Sequence, residues 1–422
     1  MPSGTPTKPR RATHLPLSAS LQLAWRNVLR HKGRTATTVA AVTFGVAALV
    51  LSQGFVEDLY IQLAEAIIHS QTGHLQLAKE GYFVHGAHQP DKYLVADPEG
   101  DKRRFASLPE VADVMARLSF SGLLSNGRAD YAILGEGIEP DKEAALGTVL
   151  KISAGRRLAE SDRYGAFIGH GVAQALKLKP GDRAILVANT SGGAMNTLDL
   201  DVVGVFQTVS KEYDNRAIKI PLAAAQELLS TKGANTLVVS LKKTADTDRI
   251  ANLLQERTVW RDQEVKTWRE LNDFYPKTVQ LYDRLFGGLQ LIILLMVLLS
   301  VINAVNMTVS ERIGEFGTVR ALGNRGVHVM QMVMVESALM GFGGGVLGLV
   351  LGLSLAYVIS IIGIPMPPPP NADVGYMAHI QISVLGAIGA FLIGFLATIL
   401  AALLPALKVG RMPIAEALRQ SA

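Results

Sequence analysis

The sequence contains no cysteine, which excludes a disulfide framework and any thiolate metal site. Charge is scarce as well: Asp, Glu, Lys and Arg make up 18%, below the roughly 25% of soluble domains. The shortage is concentrated. Four stretches, 35–56, 285–310, 337–372 and 380–407, hold no charged residue over 22, 26, 36 and 28 positions. A helix of about 20 apolar residues crosses a bilayer core, so the chain reads as a polytopic membrane protein rather than a soluble enzyme. Several catalytic patterns are missing too. There is no G-x-x-x-x-G-K-[ST], no H-E-x-x-H and no G-x-S-x-G, so these 422 residues are expected to hold no ATP in a P-loop, no cofactor and no catalytic residue.

Charge of one sign is absent where topology needs it to be. The first 34 residues carry seven Lys or Arg and no acid, and 363–379 carries no Lys or Arg. Between Glu57 and Arg284 there are 28 Lys+Arg against 31 Asp+Glu, so the excess behind the net +5 lies beside the apolar stretches. That is the positive-inside pattern and not a nucleic-acid groove. It predicts four transmembrane helices with both termini cytoplasmic, in the plasma membrane, or the inner membrane of a Gram-negative cell. The predicted order is a disordered terminus (1–18), an amphipathic interfacial helix (19–34), span one (35–56), an extracytoplasmic domain (57–284) and span two (285–310). A cytoplasmic loop (311–328), span three (329–361), a Pro-rich outer loop (362–380), span four (381–405) and a cytoplasmic tail (406–422) follow.

The 57–284 domain is long enough for its own core and mixes two periodicities. Strand-like runs (His74–Ala78, Tyr131–Leu134, Ala184–Ala188, Leu200–Phe206, Thr236–Leu241) alternate with helical ones (Gly171–Leu178, Leu222–Ser230, Asp246–Arg257). This predicts mixed α/β. Lys179-Pro180-Gly181-Asp182 suits a type II turn. Tyr60, Ala64 and Ile67 at one end and Leu281 at the other fall on helical faces, which predicts a helical stalk. His69, His74, His85 and His88 lie close in sequence without ligand spacing and read as solvated histidines, not a metal site. Gly341, Gly344, Gly345, Gly348 and Gly352 form a stripe in span three that permits close helix packing, within one copy or between two. Asn303, Asn306 and Glu336 are costly in lipid unless they face protein.

Three segments carry a resemblance: 23–35 (LAWRNVLRHKGRT), 311–323 (ERIGEFGTVRALG) and 405–419. They resemble the permeases of the macrolide-exporter, FtsX-like and lipoprotein-releasing group of ABC transporters, and the similarity extends into 184–206 and 265–268. The resemblance implies a four-span permease that works as a dimer, with a second copy or a paralogue. It implies a MacB-like periplasmic domain and two copies of a separate ATPase that would bind ATP and Mg. Its likeness is greatest to lipoprotein-releasing permeases, with a periplasmic adaptor or lipoprotein acceptor and membrane lipids as further partners. The 311–323 segment matches the coupling helix. Glu311, Arg312, Glu315 and Arg320 are expected to meet the ATPase, while Ile313, Phe316, Val319 and Leu322 pack. Export or extraction of a lipoprotein, lipid, drug or peptide is the function implied. The alternatives are a non-transporting mechanotransmitter acting on a partner such as a cell-wall hydrolase, and a membrane-anchored enzyme or sensor.

Overall fold

The computed structural model describes residues 26, 30, 32–86, 90–95, 97–147, 150–190, 192–208, 210–256, 263–367, 375–414 and 419. The amphipathic helix expected over 19–34, the terminus before it, most of the Pro-rich run and much of the tail fall largely outside them. The chain divides into two units: 59–280 with 365–377, and the remainder.

The first unit is α/β. Helix α1 (Lys32–Ile67) ends in a π-helical turn, Ile68–Thr72, and strand β1 (Leu75–Lys79) follows. Then come α2 (Pro98–Ala106), β2 (Val111–Ser125), β3 (Asp130–Ile138), α3 (Pro140–Leu146), β4 (Lys151–Gly155), β5 (Gly165–Gly169) and α4 (His170–Leu176). Strands β6 (Arg183–Asn189), β7 (Met195–Gln207) and β8 (Ala217–Pro221), helix α5 (Leu222–Leu229), β9 (Thr236–Leu241), α6 (Thr247–Glu256) and β10 (Gln263–Thr267) complete it. Four strands lie in the order β10-β1-β9-β2, all antiparallel, with α2 and α6 as the crossovers. This is the split β-α-β repeat. Leu75, Phe105, Leu237, Ile250 and Leu254 fill its core.

Residues 118–233 run from the second half of β2 to just before β9. They build a second lobe with its own core of Leu124, Leu186, Ile218, Leu228 and neighbours. The 15-residue β2 belongs to both lobes: Val111–Arg117 pairs with β9, and Leu118–Ser125 with β3. Gly181, at φ +94°, takes the left-handed position of the expected turn, and Asp182 N–H donates to the Lys179 carbonyl at 3.0 Å.

Among the described residues four helices are long and apolar enough to cross a membrane, and the second unit holds most of them. Helix α7 (Phe274–Glu311) admits Pro276 in its first turn, where a missing N–H costs nothing. Helix α8 (Ile313–Ala321) is short, and α9 (Gly326–Ile362) and α10 (Val384–Arg411) follow. Within the expected outer loop, Ile364–Met366 and Tyr376–Ala378 pair as a small ribbon. At this end of α1 the buried Asp58 accepts from the His379 N–H at 2.8 Å and from the Gln381 amide.

The span-three glycines are used inside the chain. A Cβ on Gly344 would lie 2.8 Å from Val42 Cβ, and one on Gly348 2.7 Å from Val46 Cβ and 2.8 Å from the Thr43 carbonyl. Gly352 meets Ala47 and Val50 in the same way, while Gly341 and Gly345 face Thr398 and Phe391 of α10. The stripe therefore seats α9 against α1 and α10 within the chain.

Candidate functional site

The 311–323 segment is built around one buried cation. Arg312 sits at the break between α7 and α8, 5% exposed. Its Nη1 donates to Glu336 of α9 at 2.9 Å and its Nε to Glu315 at 3.0 Å, and the guanidinium lies 5.1 Å from the centre of the Phe316 ring. Glu336, costly in lipid by itself, is thus paired. Phe316 is buried. The Arg320 guanidinium donates to the Met412 carbonyl, which ties α8 to the end of α10.

Two expectations about this segment are corrected. Arg312, expected to face a partner, is the internal anchor of α8. Leu322, expected to pack, is 81% exposed. Glu311, Glu315 and Thr318 are also exposed. Glu315, Thr318 and Leu322, on α8 and its C-terminal cap, follow positions i, i+3 and i+7, one helical stripe, while Glu311 ends α7 on the other side of the break. The chemistry of this face is an apolar tip, Leu322, one turn and more from the Glu315 carboxylate that Arg312 holds.

The junction of α1 with the α/β unit is the second constellation. Ala64 and Ile67 are buried with Leu63, Ile68 and Trp268. The Tyr60 hydroxyl donates to the Val279 carbonyl at 3.3 Å, so α1 and α7 are linked here. Leu281 is 47% exposed. A Thr267–Glu270 capping box starts the turn that carries Trp268. His74 is fully buried and His69 half-buried, against the expectation of solvated histidines; His85 is exposed, and His88 lies outside the described residues.

Behind the π turn lies a buried ionic cluster. Arg117 of β2 donates through Nη2 to both Glu143 oxygens at 2.9 Å and through Nη1 to the Gln71 carbonyl. Lys219 of β8 donates to Glu143 as well. Burial alone would raise the Glu143 carboxyl; Arg117 and Lys219 outweigh it and hold it at about 2. The cluster joins the two lobes through the middle of β2. Arg117, with Glu136 and Tyr213, forms part of the wall of an open cavity of about 380 Å³. Sequence reasoning missed all of these residues. One signal was available: Lys219 is the only charge in the apolar run Ala217–Pro221. Among the described residues no cluster of His, Asp or Glu could hold a metal.

Fold and geometry define a class: a multi-pass membrane protein with an α/β domain inserted after its first span and a short helix between its second and third. The family model for a MacB-like periplasmic core domain matches residues 35–257, and that for the FtsX-like permease C-terminal region matches 288–414. The chain belongs to the MacB/FtsX/LolC family of ABC transporter permeases. It is 23% identical over 419 residues to the lipoprotein-releasing system transmembrane protein LolC of Neisseria meningitidis, covering 91% of this chain and 94% of that one. An uncharacterized ABC transporter permease of Methanocaldococcus jannaschii is 26% identical over 274 residues, covering 64% and 65%. The macrolide export ATP-binding/permease protein MacB of Salmonella typhi is 24% identical over 418 residues, covering 94% and 60%. The chain thus spans less than two thirds of these last two. The crystal structure of the periplasmic region of MacB from Actinobacillus actinomycetemcomitans aligns with a TM-score of 0.35 at 16% identity, covering 51% of this chain and 95% of that one.

Proposed function

We propose that the chain is the membrane subunit of an ATP-driven exporter, with both termini and 311–328 cytoplasmic and the α/β domain outside. A separate ATPase binds ATP and Mg, docks on α8, and drives a dimer of permeases. The observation that carries this reading is the form of the 311–323 segment. Its inner side is clamped by Arg312–Glu336 and by Arg320 on the Met412 carbonyl, and its outer stripe ends on the exposed Leu322. A clamped helix with a free face passes a push on to α7 and α9 instead of absorbing it. The force then reaches the α/β domain through α7. The substrate class is a lipoprotein or another lipid-like molecule, or a drug or peptide, taken from the outer side of the membrane.

The test is Leu322→Asp. An exposed side chain contributes little to folding, so yield and melting temperature stay within experimental error of wild type. A fully buried Leu contributes about 1.5–3 kcal/mol at an interface, so co-purification of the ATPase falls at least tenfold. Undiminished ATPase capture by this variant would sink the docking assignment. Normal ATPase binding and hydrolysis without substrate release in the wild type would instead favour the mechanotransmitter.

A further inference from the structure

Three titratable side chains meet where α1 enters the α/β domain, and their hydrogen bonds fix their protonation. His74 Nδ1 accepts from the Leu241 N–H at 3.1 Å, so it carries no proton. Its Nε2 lies 3.1 Å from Thr244 Oγ1 and must be the donor. The Thr244 hydroxyl, having accepted that proton, donates its own to Glu65 Oε1 at 2.6 Å. The other Glu65 oxygen lies 3.2 Å from His69 Nε2, while His69 Nδ1 faces the Leu146 carbonyl at 3.0 Å. Both His69 nitrogens therefore face acceptors, which suits imidazolium. His69 and His74 stand edge to face, 5.7 Å between ring centres. Charged groups on the adjoining elements are engaged elsewhere: Asp246 with Arg249, and Arg269 with Asp248. Glu65, His69 and His74 thus face one another with Thr244 and two backbone groups, and no lone pair points at a shared metal position.

We propose that Glu65, Thr244 and His74 form an acid-sensitive latch that fastens the last turn of α1 to the ends of β1 and β9, and that protonation of His74 opens it. A proton on Nδ1 would confront the Leu241 N–H donor to donor. It would also put a second cation beside His69. Only the Nδ1 contact is lost at first, so the opening starts at Leu241 and at the backbone around His74. The His74 carbonyl accepts from the Trp268 N–H at 3.1 Å, so Trp268 feels the change. Burial, with the charge of His69 added and Glu65 opposing, pushes the His74 pKa down to about 4. A group at 6.5 when open and about 4 when closed changes the open-to-closed ratio by up to about 300-fold on acidification. The sign is definite: the closed form is favoured above pH 6.5 and loses that advantage as pH falls through the window to 4. The use of such a latch rests on the topology proposed above, since it would then face the external medium. Its chemistry does not.

The test uses the full-length protein in lipid nanodiscs with Trp25→Phe and Trp260→Phe, which leaves Trp268 as the sole tryptophan. Emission is followed from pH 7.5 to 4. The expected result is a reversible red shift with its midpoint between 4 and 6.5. Asn at position 74 offers the same acceptor without titrating, so His74→Asn abolishes the shift. His69→Gln removes the neighbouring cation and moves the midpoint to higher pH. Thr244→Val is red-shifted already at pH 7.5. Should His74→Asn fail to fold, the His69→Gln shift decides. A flat wild-type titration, or a His74→Asn or His69→Gln midpoint identical to wild type, overturns the latch.

Discussion

Glu143 is a residue that stability depends on far more than its sequence context suggests. It is 8% exposed and holds two cations, Arg117 and Lys219, that are themselves buried. Removing one member of a buried ionic group leaves uncompensated charge and costs about 3–5 kcal/mol. Glu143→Gln should therefore destabilise the α/β domain by roughly that amount, measured as the loss of unfolding free energy in urea. A loss below about 1 kcal/mol would show that the two cations find other partners. The pH dependence has a definite sign. The carboxyl sits at about 2 against an ordinary 4.5, so its contribution is whole above pH 4.5 and is lost as pH falls from there towards 2. Beyond the lone Lys219 in the apolar run Ala217–Pro221, none of this was legible in the sequence. Arg117, Glu143 and Lys219 stand 26 and 76 residues apart and meet only because β2, α3 and β8 are brought together by the insertion. Without a fold, 31 acids and 28 bases in one domain offer too many pairs to choose from.

At the scale of elements, the spans and the α/β character were readable because length, hydropathy and period are local properties. The partners of those elements were not. The glycine stripe of α9 was visible, but what it packs on depends on distant helices. The structure makes a paired prediction. Gly348→Ala drives a Cβ into the Thr43 carbonyl and Val46, where backbone cannot yield cheaply, whereas Gly343 on the same helix has nothing within 4 Å. Gly348→Ala should lower the thermal midpoint of the purified protein by several degrees, and Gly343→Ala should leave it unchanged. Equal effects would mean that the α9–α1 contact is loose enough to admit a methyl group. Strand β2 went unread for a different reason. Its alternation holds only over 116–121 and is broken by the apolar run 114–116 before it and by Gly122, Leu123 and Leu124 after it, because one half serves one lobe and the other half another. Arg312 misled in the opposite direction. An Arg in a short polar loop is usually exposed, and only the position of Glu336 on α9 shows that this one turns inward.

For the molecule as a whole, the cysteine-free sequence is a ready background for crosslinking. Leu281 and Ile61 are 47% and 44% exposed, whereas Ala64 is 7% exposed, so the first two are the positions where single Cys substitutions can report on a second copy. Crosslinking at Leu281 should change at least severalfold when ATP is added to the complex with its ATPase. Yields that ignore nucleotide would mean that this part of the helix does not move in the cycle. The proposed topology is checked with reporters: one fused after Gln420 should read cytoplasmic and one inserted near Asn371 external. The shared strand β2 has one mechanical consequence. At about 3.3 Å per residue its 15 residues form a rod about 50 Å long, gripped near its middle by Arg117. A tilt of about ten degrees at that grip would swing the Ser125 end by about 5 Å, so a small rotation of the lobe built on β10, β1 and β9 would be carried rigidly to the far end of the other.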